Sequence, residues 1–261
     1  MTDFLLYILA GAGVGFAVGV TGVGGGSLMT PLLLLFGFPL HVAIGTDLLY
    51  AAITKAGGAV AHARLATVNW RLVGLLAAGS VPASLVTALA LNTLFGDASA
   101  YAPVLTTALG IMLILTALSI LLRGRILSSD VAAPGPLRQM VDRHAPALTV
   151  LMGLVLGVCV TLSSVGAGAF GAVILMALYP TLRAVGIVGT DIAHAVPLTL
   201  VAGLGHLALG NVDFALLGAL LIGSLPAIAV GSRVSGLLPD GVIRSILATI
   251  LMGLGVKFAV L

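Results

Sequence analysis

The chain has 261 residues, of which 11 are Lys or Arg and 8 are Asp or Glu, so only 7% are charged where an average soluble domain has about 25%. Apolar residues make up 60% of it, and the mean hydropathy is +1.27. No water-facing surface can be built from this composition, which excludes a soluble enzyme, a nucleic-acid binder and a disordered chain and leaves an integral membrane protein.

Charge-free stretches lie between Asp3 and Asp47, Arg71 and Asp97, Asp97 and Arg123, and Arg143 and Arg183. A bilayer is spanned by about 20 apolar residues in a helix, and each spanning backbone must satisfy its own hydrogen bonds. The expectation is an all-α, multi-pass protein of the cell (inner) membrane. Residues 4–20 form the first apolar segment, read as structure rather than a cleaved signal because no basic stretch precedes them. A small-residue loop, Gly22-Val-Gly-Gly-Gly-Ser27, leads into a short apolar segment at 28–36, and helices are predicted over 42–61, 71–91 and 103–122. A polar stretch with Pro134 and Pro136 follows. Beyond it come an apolar segment at 147–162, a second small-residue loop at 163–169, a short segment at 170–178, and helices over 185–205, 214–235 and 242–260.

The two series are copies. Displaced by one constant offset, residues 23–86 fall on residues 167–230 without a gap. Gly45-Thr46-Asp47 then falls on Gly189-Thr190-Asp191, His62 on His206, Gly79-Ser80 on Gly223-Ser224, and Pro82 on Pro226. Asp and His are scarce here, so their coincidence marks a duplication, the usual construction of secondary transporters. The chain divides into a first transmembrane repeat (1–122), a cytoplasmic linker (123–146) and a second repeat (147–261).

Topology turns on the first segment of each half. If it forms a re-entrant hairpin with the short helix, the halves are inverted; all nine arginines then lie on one side, with only Lys257 opposite. If it crosses fully, the halves are parallel, and Arg183, Arg233 and Arg244 move outside. The positive-inside rule favours the inverted arrangement.

Candidate chemistry concentrates at the two loops. Glycine leaves helical geometry without steric cost, and irregular backbone at membrane depth is tolerated where it lines a cavity. Each loop opens a short helix whose first N–H groups are unpaired and partially positive. Two such ends near mid-membrane would bind an anion, through Gly24, Gly25, Gly26, Ser27 and Thr30 in one half and Ser163, Ser164, Gly166 and Gly168 in the other. The competing role is close helix packing. Lys55, deep in its helix, is placed beside the anion as its counter-charge. Asp47 and Asp191 are intramembrane acids and so candidates for coupling or gating, with the preceding Thr46 and Thr190; a helix-capping role explains them equally well. His194 follows Asp191 by three residues on one helix face and could relay protons. His62 and His206, near polar turns, read as interfacial side chains, and Trp70 and Phe214 as interfacial anchors. The lone Cys159 reads as a small buried residue. No metal-ligand spacing and no nucleophile–His–Asp arrangement is visible, so neither cofactor, metal nor enzymatic activity is expected. The expected partners are a small anion, the lipid bilayer and a coupled proton, with nucleic acid excluded and a homo-oligomer left open.

The G-V-G-G-G-S-L-x-x-P-L-L-L run at residues 22–34, the P-x-x-V-A-I-G-T run at 39–46 and Val68-Asn-Trp70 resemble the sulfite exporter TauE/SafE family of membrane transporters. Val212-Asp-Phe214 and Gly223-Ser-Leu-Pro226 repeat parts of that pattern. The resemblance implies transport, often export, of sulfite, a sulfonate or a related small organic anion. It also marks departures: Asp follows Gly-Thr in both halves, and the second half has Gly166-Ala-Gly168 for the triple glycine and Leu175 for Pro31. An anion channel, or a membrane-embedded subunit or enzyme without transport, remains the alternative.

Overall fold

A computed structural model describes residues 2–21, 26–95, 97–128, 136–234 and 240–260. Among them ten helices follow in order: α1 (Thr2–Thr21), α2 (Gly26–Leu35), α3 (Leu40–Arg64), α4 (Trp70–Phe95), α5 (Ala98–Ser128), α6 (Pro136–Ser163), α7 (Ala169–Leu178), α8 (Ala184–Ala208), α9 (Phe214–Val234) and α10 (Asp240–Val260). The protein is all-α in these residues. Five helices, α4, α5, α6, α8 and α9, are long and apolar enough to cross a membrane. The two short segments are helices of 10 residues each, about 15 Å long against a hydrocarbon core of about 30 Å. α5 runs on to Ser128 and α6 begins at Pro136, within the stretch read as linker. Proline suits a first helical position, where its missing N–H would have no partner anyway.

Apolar helices gain nothing from being moved out of lipid, so their association depends on close packing and interhelical hydrogen bonds. Small residues set that packing here. Gly11, Gly15 and Gly19 of α1 lie against Leu220, Ser224 and Ile228 of α9. In the other half, Gly153 and Gly157 of α6 lie against Leu76 and Ser80 of α4. Numbers rise together along both pairs, so each runs parallel. The first helix of each half therefore packs along the fourth helix of the other, and the halves are interleaved.

The remaining pairs join repeat-matched helices. Gly45 of α3 packs against His206 at the end of α8, Gly203 of α8 against Leu49, Gly58 against Ile192, and Gly189 against His62. Numbers run in opposite senses, so α3 and α8 are antiparallel. α5 and α10 pair likewise, with Gly110 against Ala259 and Gly255 against Ile114. Trp70 and Phe214, each opening a helix, are 62% and 63% exposed, which suits residues that anchor at the headgroup level.

Candidate functional site

α6 ends at Ser163, and the reason is local. Its hydroxyl bonds the Cys159 carbonyl (2.7 Å) and accepts from the Val165 N–H (3.1 Å). Ser164 then takes a left-handed conformation (φ 59), followed by Gly166 (φ 120) and Gly168 (φ 144). At Gly166 the positive φ favours glycine, and a side chain there would also push aside the terminal methyl of Met112. Gly168 caps α7 without a side-chain bond. Its carbonyl takes the Ala172 N–H (3.1 Å), while that of Gly166 takes the Gly171 N–H (3.2 Å).

Lys55 of α3 crosses between the halves to this loop: its Nζ donates to the Ala167 carbonyl at 2.7 Å. It lies within electrostatic reach of Asp191, Asp47 and His194. Asp47 is fully buried and accepts from the Thr30 hydroxyl of α2 at 2.6 Å through Oδ2. The Ser164 hydroxyl lies within interaction range of Asp47 without a formed bond. Asp191 is buried too, with Oδ1 directly over the Cα of Gly171 in the first turn of α7. Each half-length helix thus meets a carboxylate from the full helix that follows it. At α7 that carboxylate lies at the partially positive end, where the helix dipole favours it.

His194 Nε2 pairs with the Ser80 hydroxyl of α4 at 2.8 Å; Ser80, not Asp191, is the ring's partner. Tyr50, the matching residue of α3, lies within range of Ser224, the match of Ser80. Among the described residues seven buried side-chain N or O atoms have no hydrogen-bond partner, and six of them lie on α3, α8, α9 or the α6–α7 loop: Asp47 Oδ1, Asp191 Oδ1, His194 Nδ1, Ser164 Oγ, Tyr50 OH and Ser224 Oγ. Unpaired buried polar atoms are rare and call for an explanation.

Other sequence candidates fall elsewhere. Gly24 and Gly25 lie outside the described residues, Gly26 opens α2, and Ser27 is buried in the same helix as Thr30. Thr46 and Thr190 act as fasteners between halves. The Thr46 hydroxyl accepts from the Asp213 N–H (3.1 Å), and the Thr190 hydroxyl from the Asn69 N–H (3.0 Å). Each thereby ties the start of the opposite half's fourth helix, and the neighbouring Gly45 and Gly189 let that turn come close. Thr46→Val and Thr190→Val are each expected to cost about 1 kcal/mol, the net worth of a hydrogen bond to a partly buried N–H. Their effects should add, because the fasteners are separate. Unfolding midpoints of the purified single and double variants check this.

His206 departs from the sequence expectation. It is fully buried, with Nε2 2.9 Å from the Thr161 carbonyl and Nδ1 3.2 Å from the Asn211 amide, which also bonds Tyr101. An imidazole in that position is an internal brace rather than an interfacial group. Ser80, Tyr50 and Ser224 were not singled out for chemistry, although the repeat register already matched Ser80 with Ser224.

The family description "Sulfite exporter TauE/SafE" matches residues 7–258. "Probable membrane transporter protein YjnA" of Bacillus subtilis (strain 168) is 38% identical over 250 residues, covering 96% of this chain and 97% of its own. "Probable membrane transporter protein YdhB" of the same organism is 29% identical over 245 residues, covering 92% and 94%. A "Probable membrane transporter protein" of Haemophilus influenzae is 36% identical over 84 residues, covering 29% and 32%. No solved structure matches the chain. With the match running almost end to end, the chain belongs to the sulfite exporter TauE/SafE family of membrane transporters.

Proposed function

We propose that this protein is a secondary transporter carrying a small, sulfur-containing anion across the cell membrane. Its site lies where the α6–α7 loop meets α3. The observation that carries this reading is Lys55: a single ammonium reaches from one half to the broken backbone of the other, beside a cluster of buried polar atoms without partners. An anion entering there would meet the ammonium, the Ser164 hydroxyl and the N-terminal end of α7. The names of the relatives support transport, and the family name supports a sulfur oxyanion such as sulfite.

The test is a thermal-shift panel of sulfite, sulfate, thiosulfate, sulfonates and carboxylates on the purified protein. A ligand that binds only the folded state at about 100 times its Kd adds about 2.7 kcal/mol of stability. No shift with any anion, together with no uptake into proteoliposomes, would remove the reading.

In this proposal the halves are inverted. Antiparallel packing of α3 with α8 and of α5 with α10 supports it, because repeat-matched helices run antiparallel about an axis in the membrane plane. So does the Arg183 turn, where Gly186 lies against the Thr67 carbonyl. That nearness supports a common side for Arg183, Arg64 and Arg71. A single cysteine at position 183, in a Cys159→Ala background, should be labelled from the cytoplasmic side. Labelling only from the opposite side would sink the inverted arrangement.

A further inference from the structure

The two repeat-matched aspartates have diverged in how they are held. Asp47 is fastened by the Thr30 hydroxyl of α2. The residue of α7 that matches Thr30 is Ile174, which has no hydroxyl to give. Asp191 keeps Oδ1 unpartnered although the residue is only 2% exposed. Where Ser27 stands in α2, α7 has Gly171, and a side chain there would run into Asp191 Oδ1. The missing side chain gives the carboxylate room to lie on the first turn of α7. That turn carries partial positive charge, and it is the place assigned to the anion. The loop before it holds the Lys55 ammonium at the Ala167 carbonyl, within electrostatic reach of Asp191. The antiparallel register of α3 and α8 sets Asp47 well away along the helix pair.

We propose that the Asp191 carboxylate stands in for the anion in the empty site, and that the anion replaces it there while Asp191 takes up one proton. Two negative groups beside one ammonium would leave buried, uncompensated charge, which is costly. In the empty protein the ionised carboxylate faces Lys55. In the loaded protein the anion faces Lys55, and a proton drawn from water forms an O–H bond on Asp191, so a monovalent anion leaves the buried charge unchanged. A proton suits this carboxylate because hard metal cations are held by several oxygens, whereas Oδ1 has no hydroxyl bonded to it. The exchange rests on the anion reading, since the place exchanged is the one given to the substrate.

The ionisable groups on the elements packed against Asp191 are few. On α8 itself His194 follows one turn later, its ring held by Ser80. α3 brings Lys55, Tyr50 and Asp47, and towards its ends His41, Arg64 and His62, whose Nδ1 pairs with the Thr67 hydroxyl. α7 contains none. α4 has Arg71 at its start, and α6 has Cys159 near its end, with Arg138, Asp142, Arg143 and His144 in its first turns.

Two measurements on the purified full chain test the exchange, both with whichever anion of the thermal-shift panel binds best. The first follows apparent affinity across pH. On the alkaline limb wild-type affinity should rise about tenfold for each unit the pH falls, the slope for one proton taken up with each anion. Asp191→Asn carries a permanently neutral side chain, so it should bind at the level wild type reaches in acid and lose that slope. Any titration of the anion itself is common to both proteins and drops out of the comparison. The second measurement needs wild type alone: adding anion to weakly buffered protein on that limb should remove about one proton from solution per anion bound, read with a pH indicator. Anion binding without proton uptake would overturn the exchange and leave the anion reading intact. The wild-type slope persisting in Asp191→Asn would overturn it as well, and so would loss of the slope in His194→Gln with Asp191 present. Absence of binding by every anion would remove the anion reading and the exchange with it.

Discussion

Gly79→Ala and Gly223→Ala are each expected to abolish accumulation of folded protein. A methyl group on Gly79 would land on the Val150 carbonyl of α6, and one on Gly223 on the Ile8 carbonyl of α1. The obstacle in both cases is backbone, which no rotamer change can move aside. Overpacking a well-packed core costs about 1–3 kcal/mol even where side chains can adjust, so a backbone clash along a whole helix pair should exceed that. The same helices supply the controls. Gly74 and Gly218 are also repeat-matched, and an added Cβ at either meets nothing within 4 Å. Gly74→Ala and Gly218→Ala should be neutral or stabilising, because Ala gains up to about 1 kcal/mol over Gly within a helix. Size-exclusion profiles and unfolding midpoints of the four variants give the answer. Equal behaviour of the clashing and open pairs would show that the parallel α4–α6 and α1–α9 contacts do not hold the molecule together.

That contrast also shows how far the fold was legible in one dimension. The half-length helices could be read because ten apolar residues between a glycine-rich loop and a turn are too few to cross a bilayer. The interleaving could not. Small residues spaced along α1 and α6 say that something packs closely there, but not that the partner is the fourth helix of the opposite half. Thr46 and Asp213 illustrate the same limit. Thr46 stands in the repeat and Asp213 in the family pattern, yet the bond joining them runs from the Asp213 main-chain N–H to a hydroxyl in the other half, and nothing in local pattern records it.

The site was legible in part for a related reason. Intramembrane Asp, Lys and His are expensive, so their positions alone mark them as candidates. Their partners are cheap residues. Ser80 beside His194 and Thr30 beside Asp47 are ordinary small hydroxyls that many membrane helices carry. His206 was misjudged because a helix end next to a polar turn ordinarily lies at the interface. Here that turn is covered by α3, with Gly45 letting the Asn211 carbonyl come down onto its backbone.

Lys55→Met should leave a folded protein that binds anion at least about tenfold more weakly. Two unit charges about 4 Å apart at an effective dielectric of about 20 attract by about 4 kcal/mol. Half of that, about 2 kcal/mol, already exceeds the 1.4 kcal/mol that separates tenfold differences in affinity. The substitution keeps an unbranched apolar stem one atom shorter than that of lysine, so packing around α3 changes little. What it removes is the charge and the bond to the Ala167 carbonyl. Loss of that bond costs stability as well, and the two effects need separating. The repeat offers a way, because Thr199 stands at the matching position of α8, where its hydroxyl only turns back to the Ala195 carbonyl of its own helix. Thr199→Lys in the Lys55→Met background would supply an ammonium from the opposite half. If Lys55 acts as the counter-charge, the double variant should recover anion affinity without recovering the original cross-half bond. If Lys55 is a structural tie, the double variant should stay as unstable as the single one, and anion affinity should be the same in all three proteins. Affinity from the thermal-shift panel and unfolding midpoints without anion report the two quantities independently.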